Sequence, residues 1–268
     1  MGKFVLAIDQ GPTGSTVALM DAGGQLRASV NYEFPQIYPQ PGWVEHRPAD
    51  IWDSVNKAIR AIFRKKICKP QDIVAIGITN QRETSLLWDR QTGEPLNNAI
   101  VWQCRRTTDF CDALRAAGHE RLIERKTGLV LDPYFSGSKY RWLLKNTPGI
   151  SRLLKGGRVA AGTVDSFLIW QLTAGDAHVT DVSNASRTSL MNLKTVGWDS
   201  QLLDLFDVPR EILPEIVQSS AIHGHTRGVK GLPDCITISV LACDQQAALF
   251  AQACFAVGDD KCTFGTAS

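Results

Sequence analysis

The sequence of 268 residues lacks any long uninterrupted run of apolar side chains. The first apolar run, residues 4–8, stops at Asp9, which is too soon for a signal peptide or a membrane span. Strong charge of one sign is also absent, because 29 basic and 27 acidic residues leave a net charge of +2. So small an excess gives no reason to expect a nucleic acid or a membrane as partner. We therefore expect a cytoplasmic globular protein that binds neither of them.

Paired cysteine motifs are missing as well. The seven cysteines are an odd number, none belongs to a Cys-x-x-Cys pair, and most lie beside apolar residues. This pattern is typical of reduced, buried thiols and not of a disulfide framework. The five histidines show no convincing metal-ligand spacing. The closest pair, His223 and His225, flanks a glycine, and we expect it on a surface loop.

Internal repeats are absent too, and the apolar pattern that is present changes along the chain. Short apolar segments at residues 4–8, 16–20 and 26–32 are separated by turn residues and predict a meander of strands. Apolar residues then recur at three- and four-residue steps from Ile51 to Phe63, which predicts one face of a helix. Further strands are predicted at 73–78, 85–88, around 100–101, 236–241 and 261–264, and further helices at 107–117, 139–145, 164–172, 200–206 and 245–253. A meander followed by alternating strands and helices indicates a mixed α/β sheet in one domain.

The first candidate site is the segment Asp9-Gln10-Gly11-Pro12-Thr13-Gly14, directly after the first strand. Glycines there permit a close backbone approach, and small hydroxyl side chains can hydrogen-bond phosphate oxygens. No Gly-Lys-Ser/Thr follows, so the segment is not a P-loop, and it does not match a dinucleotide-binding fingerprint. An ordinary hairpin turn explains the same residues at least as well.

The second candidate site follows the strand predicted at 73–78. Arg82 and Glu83 lie beyond the carboxyl end of that strand, where ligands bind in open α/β sheets. An arginine and a glutamate there can donate and accept hydrogen bonds with a polyol. The alternative is a solvated surface ion pair.

The third candidate is Asp244, after the strand predicted at 236–241. An aspartate in this place can act as general base toward a hydroxyl, or it can be a helix N-cap. Trp102 and Tyr134 stand in polar company and can form an apolar wall against a carbon chain. Plain core packing is the alternative for both.

None of these candidates is decisive by itself, but several strings together resemble glycerol kinases, members of the FGGY carbohydrate-kinase family. The strings are 9–11 (DQG), 76–84 (IGITNQRET), 98–107 (NAIVWQCRRT), 127–137 (TGLVLDPYFSG), 162–165 (GTVD), 180–188 (TDVSNASRT) and 244–250 (DQQAALF). Residues 134–146 (YFSGSKYRWLLKN) also resemble a signature of the wider FGGY family. The similarity runs in order from residue 4 to residue 268.

The resemblance implies an α/β fold of the actin-like and hexokinase-like (ribonuclease H-like) type, with a mixed sheet and flanking helices in each half of the kinase. The active site lies in the cleft between the halves. On this chain the resemblance implies an amino-terminal substrate domain at residues 1–253 and the start of a nucleotide-binding domain at 254–268. The implied activity is the ATP-dependent phosphorylation of glycerol to sn-glycerol 3-phosphate, with Mg²⁺.

Site residues are implied where the motifs match. Glycerol contacts are implied at Arg82, Glu83, Trp102, Tyr134, Asp244 and Gln245. Asp244 matches the general base, and Asp9 matches a carboxylate near Mg²⁺. Phosphate contacts of the nucleotide are implied at Asp9, Gly11, Pro12, Thr13, Gly14, Gly265 and Thr266. The resemblance also allows a homo-oligomer of the full-length protein.

Departures from the family pattern lie on the phosphate side of the implied site. Pro12 replaces the usual Thr, so a hydroxyl and a backbone N–H donor are lost. Thr16 stands where an Arg that contacts the nucleotide is common. The chain also ends at Ser268, short of a full family member, so we expect it to be inactive alone. The alternatives are a non-catalytic fragment or binding module, and an FGGY kinase for another polyol or sugar.

Overall fold

The computed structural model describes residues 2–263 of the chain. The strands in chain order are β1 (Phe4–Gln10), β2 (Gly14–Asp21), β3 (Leu26–Glu33), β4 (Glu45–His46), β5 (Ile73–Asn80), β6 (Ser85–Asp89), β7 (Ala99–Ile100), β8 (Val159–Thr163), β9 (Val179–Asp181), β10 (Met191–Asn192), β11 (Gly197–Trp198), β12 (Glu215–Val217), β13 (Ser220–His225) and β14 (Thr237–Cys243). The helices are α1 (Pro48–Arg64), α2 (Thr108–Ala116), α3 (Glu120–Thr127), α4 (Ser136–Asn146), α5 (Ile150–Lys155), α6 (Val164–Leu172), α7 (Val182–Ala185), α8 (Ser200–Leu205) and α9 (Asp244–Ala251). Short 3₁₀ turns lie at Pro70–Asp72 and Arg210–Ile212.

A six-stranded mixed sheet has the strand order β13-β14-β5-β1-β2-β3. The predicted meander is confirmed, since β1, β2 and β3 pair antiparallel in sequence order. β5 lies parallel to β1 on one side and to β14 on the other. Because these three strands run in the same direction, the segments that follow them all leave the sheet at one edge.

Helices α1 and α6 pack against the core of the six-stranded sheet. Pro48 occupies the first turn of α1, where its missing N–H removes no helical hydrogen bond. The predicted apolar stripe of α1 is confirmed, because Ile51, Val55 and Ile59 are fully buried in this core. Burial of each such side chain stabilises the fold by roughly 2 kcal/mol. Nearly all of α6 is buried, because the helix lies between this core and a cluster around Trp88.

A smaller antiparallel sheet, ordered β4-β7-β6-β8, packs with α2, α3, α4, α5 and α8 around a second core. Strand β8 and helices α3 and α5 are absent from the sequence-based prediction. The strand β8 consists of Val-Ala-Ala-Gly-Thr, whose central Ala-Ala-Gly is unfavourable in strands, and it continues directly into α6 without a turn. Pairing with β6 makes this segment a strand, so tertiary contacts override the local preference.

The prediction of a surface loop at His223 and His225 is wrong. Both residues lie in β13, and His223 is buried with its Nε2 3.3 Å from the carbonyl oxygen of Ser219. Gly224 between them has a φ of 150°, and a Cβ there would lie 2.9 Å from Cγ2 of Thr173. The glycine therefore marks a strand that passes close to the end of α6, not a loop.

The strand predicted at 261–264 is wrong over its described part, because residues 261–263 form no strand. A strand needs a neighbour for its backbone N–H and C=O groups, and the described part of the chain provides none beside these residues. Lys261 instead donates a hydrogen bond of 2.8 Å from Nζ to Oε1 of Gln245.

The cysteines form no disulfide within residues 2–263. Cys104, Cys111 and Cys243 are buried, and burial raises the pKa of Cys111 to about 11. Its thiol is therefore protonated and unreactive at neutral pH. No helix in this range has both the length and the apolar character that crossing a membrane requires.

Candidate functional site

The candidate site lies at the edge of the large sheet where β1, β5 and β14 end. Asp9 is the second-last residue of β1, Arg82 and Glu83 follow β5, and Asp244 begins α9 directly after β14. The Nε atom of Arg82 lies 3.3 Å from Oδ1 of Asp244. Parallel pairing of the strands thus places residues far apart in sequence within direct contact.

Glu83 is held inside the protein with one carboxylate oxygen unsatisfied. Its side chain is only 1% exposed, so the alternative of a solvated surface ion pair is wrong. Oε1 accepts a hydrogen bond of 2.7 Å from Nε of Arg187, and Oε2 lies 3.9 Å from Nε of Arg82. No donor in residues 2–263 hydrogen-bonds Oε2. Since an unpaired buried acceptor costs free energy, this oxygen is suited to receive a ligand hydroxyl.

The backbone at Glu83 is also unusual. Its φ is 59°, in the left-handed region that residues other than glycine seldom adopt. The main-chain carbonyl of Glu83 accepts hydrogen bonds from Oγ of Ser85 (2.9 Å) and Oγ of Ser136 (3.1 Å), which hold this conformation. Burial raises the pKa of Glu83, and nearby basic side chains oppose that rise.

Arg187 is a candidate site residue that the sequence analysis missed. Besides donating to Glu83, its guanidinium lies 4.9 Å from the ring centre of Phe135 and 5.8 Å from that of Tyr134. Both distances are within the range of cation–π attraction. Glu83 and Arg187 are separated by 104 positions, so no local spacing connects them. The one available signal was the presence of Arg187 in the string 180–188.

Trp102 and Tyr134 lie side by side, with ring centres 5.5 Å apart. Neither ring is fully buried, and the Tyr134 hydroxyl accepts from Arg82 at 3.5 Å. The fully buried Lys139 donates from Nζ to the main-chain oxygens of Tyr134 and Phe135. Burial lowers the pKa of Lys139 to about 8. These hydrogen bonds fix the start of α4 and with it the position of Tyr134.

Asp244 is the first residue of α9, and Cys243 occupies the N-cap position. The alternative in which Asp244 is the N-cap is therefore wrong. Its Oδ1 does accept from the main-chain N–H of Gln245 at 2.6 Å, which orients the carboxylate. The neighbouring Gln245 is directed toward Lys261, as described above.

The carboxylate of Asp244 acts on Asp9 across the site. Burial away from water raises the pKa of Asp9, and the negative charge of Asp244 raises it further. Such carboxylates are suited to a hard cation such as Mg²⁺. No cluster of three or more His, Cys, Asp or Glu side chains with metal-site geometry occurs in residues 2–263. A Mg²⁺ ion here would thus take its remaining ligands from water and phosphate oxygens.

The loop between β1 and β2 is a tight turn in which the N–H of Gly11 donates to the carbonyl of Gly14 at 2.9 Å. A Cβ on Gly14 would lie 2.8 Å from the carbonyl oxygen of Tyr32, so the packing of β2 on β3 requires this glycine. A Cβ on Gly11 would meet only the Gly14 oxygen, at an ordinary 3.5 Å. The hairpin alternative therefore explains Gly14 and gives no reason for Gly11.

The other predicted phosphate-side residues divide into two groups. In the same loop, the carbonyl of Pro12 accepts from Nε2 of Gln36 at 2.8 Å, and Thr13 is exposed. Gly265 and Thr266 lie outside the described residues.

Known proteins are similar to this chain in sequence and in fold. Residues 4–251 match the FGGY family of carbohydrate kinases, N-terminal domain. The chain is 54% identical over 268 residues to a glycerol kinase of Bdellovibrio bacteriovorus, covering 100% of this chain and 54% of that protein. It thus spans about half the length of the curated relatives it matches.

Solved structures of carbohydrate kinases are similar to this chain in fold. Plasmodium falciparum glycerol kinase with ADP superposes with a TM-score of 0.88 at 34% identity, over 95% of this chain and 51% of that chain. Gluconate kinase from Lactobacillus acidophilus superposes with a TM-score of 0.82 at 27% identity, over 92% of this chain and 49% of that chain. The predicted actin-like or hexokinase-like α/β fold is confirmed.

Proposed function

Because this chain belongs to the FGGY family of carbohydrate kinases, we propose that it is the glycerol-binding half of an ATP-dependent glycerol kinase. The whole enzyme would transfer the γ-phosphoryl group of ATP to glycerol and form sn-glycerol 3-phosphate. Residues 1–253 would be the substrate domain, and 254–268 would begin the nucleotide-binding domain. The proposal rests above all on the buried Oε2 of Glu83, which no donor in residues 2–263 satisfies and which lies beside Arg82.

Glycerol would use this site through its hydroxyl groups and its carbon chain. Oε2 of Glu83 would accept from one hydroxyl, and Arg82 would donate to a hydroxyl oxygen. Asp244 and Gln245 would contact further hydroxyl groups, although Lys261 competes for Gln245. The rings of Trp102 and Tyr134 would cover the carbon side, because an aromatic face excludes water from a CH₂ group.

Asp244 is the residue that we assign to the chemical step. Its carboxylate would take the proton from the attacking hydroxyl and hold that oxygen in line with the phosphorus. Phosphoryl transfer needs little covalent help, so orientation is the larger part of this contribution. Arg82, 3.3 Å away, would keep the carboxylate in place.

The phosphate side would be formed by Asp9 and the loop after it. Mg²⁺, when bound, would neutralise negative charge on the phosphate oxygens, and Asp9 would hold it. The phosphates would contact Gly11, Pro12, Thr13, Gly14, Gly265 and Thr266. Pro12 offers no N–H to a phosphate, so the loop has one backbone donor fewer than a loop with another residue there.

An activity assay of two proteins tests the proposal. We expect the isolated chain to form no glycerol 3-phosphate from ATP, because the chain spans about half of its relatives. We expect activity when the remaining half of the Bdellovibrio relative is joined after Ser268, and loss of that activity in Asp244→Ala. Asp207→Ala, which removes a surface carboxylate paired with Arg141 and Lys145, is the matched control and should stay active.

The substrate is tested in the same chimera. Glycerol should be phosphorylated far more efficiently than xylulose or gluconate, because the rings of Trp102 and Tyr134, with Arg82 hydrogen-bonded to Tyr134, would leave little room for a sugar. A preference for either substrate would contradict the glycerol proposal and favour the alternative, an FGGY kinase for another polyol or sugar. A folded chimera without any kinase activity would favour a non-catalytic binding module.

A further inference from the structure

A buried polar network lies behind the loop between β1 and β2. At its centre is His46, the last residue of β4, which is fully buried with its ring 5.0 Å from that of Phe34. Nε2 of His46 lies 2.7 Å from Oε1 of Gln36, and Nδ1 lies 3.3 Å from Nε2 of Gln81. The imidazole thus links two glutamine side chains, Gln36 at one ring nitrogen and Gln81 at the other.

The partners of the glutamines fix the direction of each hydrogen bond. Gln36 donates from Nε2 to the carbonyl of Pro12 at 2.8 Å, so its Oε1 accepts from Nε2–H of His46. Oε1 of Gln81 accepts from Oγ1 of Thr84 at 2.8 Å, so the amide NH₂ of Gln81 faces Nδ1 of His46. His46 is therefore assigned as the neutral tautomer with its proton on Nε2. A cationic ring would place a second N–H against the NH₂ of Gln81.

Both glutamines end on the loop after β1. Nε2 of Gln81 donates to Oε1 of Gln10 at 3.0 Å, and Nε2 of Gln10 in turn donates to the carbonyl oxygen of Gly11 at 2.7 Å. Gln81 itself is farther from that oxygen, at 3.3 Å, so it holds the Gly11 carbonyl mainly by orienting Gln10. Gln36 holds the next carbonyl, that of Pro12. Since carbonyl oxygens repel a phosphate, occupying these two with protein donors favours a loop that accepts an anion.

The same network reaches the side of the site assigned to glycerol. Oγ1 of Thr84, which donates to Gln81, accepts from the main-chain N–H of Trp102 at 3.4 Å. A continuous series of hydrogen bonds therefore runs from Trp102 through Thr84, Gln81 and His46 to the loop.

We propose that His46 is a positioning residue that holds Gln36 and Gln81 in the orientations that fix the carbonyls of Gly11 and Pro12. The network makes His46 the link between the loop after β1 and the Trp102 side of the site. That this loop binds phosphate rests on the proposed function, whereas the role of His46 in fixing the loop does not.

The tautomer of His46 in the ligand-free chain gives the first test. Long-range ¹H–¹⁵N correlation spectra should show the Nε2–H pattern, unchanged between about pH 5.5 and 8, because burial lowers the pKa of His46 to about 4. An Nδ1–H pattern, or a titration within this interval, would overturn the assignment and the proposal with it.

Substitution of His46 gives the second test. His46→Phe keeps the ring and removes both hydrogen bonds, and His46→Gln keeps a donor for Gln36. The backbone amides of Gly11, Phe34 and Gln81 are hydrogen-bonded to the loop residues Gly14, Thr13 and Gln10. In His46→Phe we expect their hydrogen exchange to be faster by about tenfold, with a smaller change in His46→Gln.

The control is His178→Asn. His178 is a partly buried histidine, with Nε2 3.0 Å from the carbonyl oxygen of Ala161 and a pKa lowered to about 4. This variant should leave the exchange of the loop amides unchanged. Equal loop exchange in wild type and His46→Phe, or equal acceleration in His178→Asn, would refute the positioning role. If His46→Phe does not fold, His46→Gln and the tautomer measurement still decide.

Titration with MgADP separates this inference from the proposed function. In wild type the resonances of Gly11, Thr13 and Gly14 should shift, and in His46→Gln the shift should need a higher MgADP concentration. Loop resonances in wild type that do not respond to MgADP would count against the phosphate role of the loop. The exchange and tautomer results would still stand, because they are measured without a ligand.

Discussion

Glu83 has a nearer partner than the arginine beside it in the sequence. Its Oε1 lies 2.7 Å from Nε of Arg187, whereas Nε of Arg82 is 3.9 Å from Oε2. Glu83 has a left-handed backbone, and its side chain lies inside the protein with 1% exposure. Buried ion pairs are weak sources of stability, so their value lies more in orientation. Arg187 therefore leaves Oε2 of Glu83 free to meet a ligand.

Arg187→Gln should raise the pKa of Glu83 further and weaken glycerol binding by tenfold or more, that is by about 1.4 kcal/mol. The reason is that Glu83 would lose the cation that offsets its burial. The side-chain carboxyl ¹³C resonance of Glu83 followed against pH reports the first effect, and a glycerol titration of the same sample reports the second.

Arg141→Gln is the matched control for Arg187→Gln. Arg141 also stacks on a phenylalanine, 3.9 Å from the ring centre of Phe110, and it also pairs with an acid, Asp207. We expect this variant to leave both the pKa of Glu83 and glycerol binding unchanged. An unchanged Glu83 titration in Arg187→Gln would show that the ion pair does not control the carboxyl group.

At the scale of single elements, the β1–β2 hairpin contains two glycines with different reasons for being there. Gly14 lies in β2, where the backbone of Tyr32 on β3 leaves no space for a methyl group. Gly11 lies in the turn, and the fold tolerates a methyl group there. Packing therefore explains Gly14. Packing does not require a glycine at residue 11, where the missing side chain would let a ligand approach the backbone.

Gly14→Ala should destabilise the chain by about 1–3 kcal/mol, because the backbones of two paired strands must separate. Gly11→Ala should cost less stability and should instead weaken the response of the loop to MgADP. Urea unfolding of both variants, followed by tryptophan fluorescence, compares the two effects. A larger loss of stability in Gly11→Ala than in Gly14→Ala would contradict this division.

Helix α7 shows how a very short element positions a site residue. Asp181 caps α7 by accepting from the backbone N–H groups of Ser183 and Asn184 at 3.0 Å each. Asn184 in turn exchanges hydrogen bonds with Asn80 at the end of β5. The helix is thereby attached to the same strand end that precedes Glu83, and Arg187 follows it directly. No periodicity in four residues predicts such a helix, so only its contacts define it.

At the scale of the whole molecule, buried histidines couple stability to pH. His178 is partly buried, and the loss of hydration lowers its pKa to about 4, so it is neutral at neutral pH. A free histidine titrates near pH 6.5. Because the folded pKa is the lower one, the contribution of His178 to stability is complete above about pH 6.5 and is lost as the pH falls toward 4.

His178→Asn should therefore lose less stability on acidification than wild type. The difference between the two proteins should change by about 3 kcal/mol between about pH 7 and pH 4, since each pKa unit corresponds to about 1.4 kcal/mol. Urea unfolding at a series of pH values measures this stability difference. The contributions of the carboxyl groups with raised pKa cancel in the difference, because both proteins contain these groups. Parallel stability curves for the two proteins would refute the coupling.

Some features of the fold could be predicted from local patterns, and others could not. The meander and the apolar stripe of α1 are periodic, so alternation and three- and four-residue steps predict them. Strand β8 and helix α7 are short and lack periodicity, and His223 and its neighbouring glycine gave the pattern of a loop although they lie in β13. Sequence patterns report what a segment can do by itself, whereas pairing with a distant strand decides what it does.

The sequence by itself determined the family of this protein, because strings such as 76–84 and 180–188 together are far more specific than any one motif. It also supplied Arg82, Glu83 and Asp244 as candidates, since each follows a strand of the sheet. Only the tertiary structure decided that Glu83 pairs with Arg187 and that His46 connects to the loop after β1. The physical reason is that these contacts join residues distant in sequence, and parallel strands bring such residues to one edge only when the whole sheet has formed.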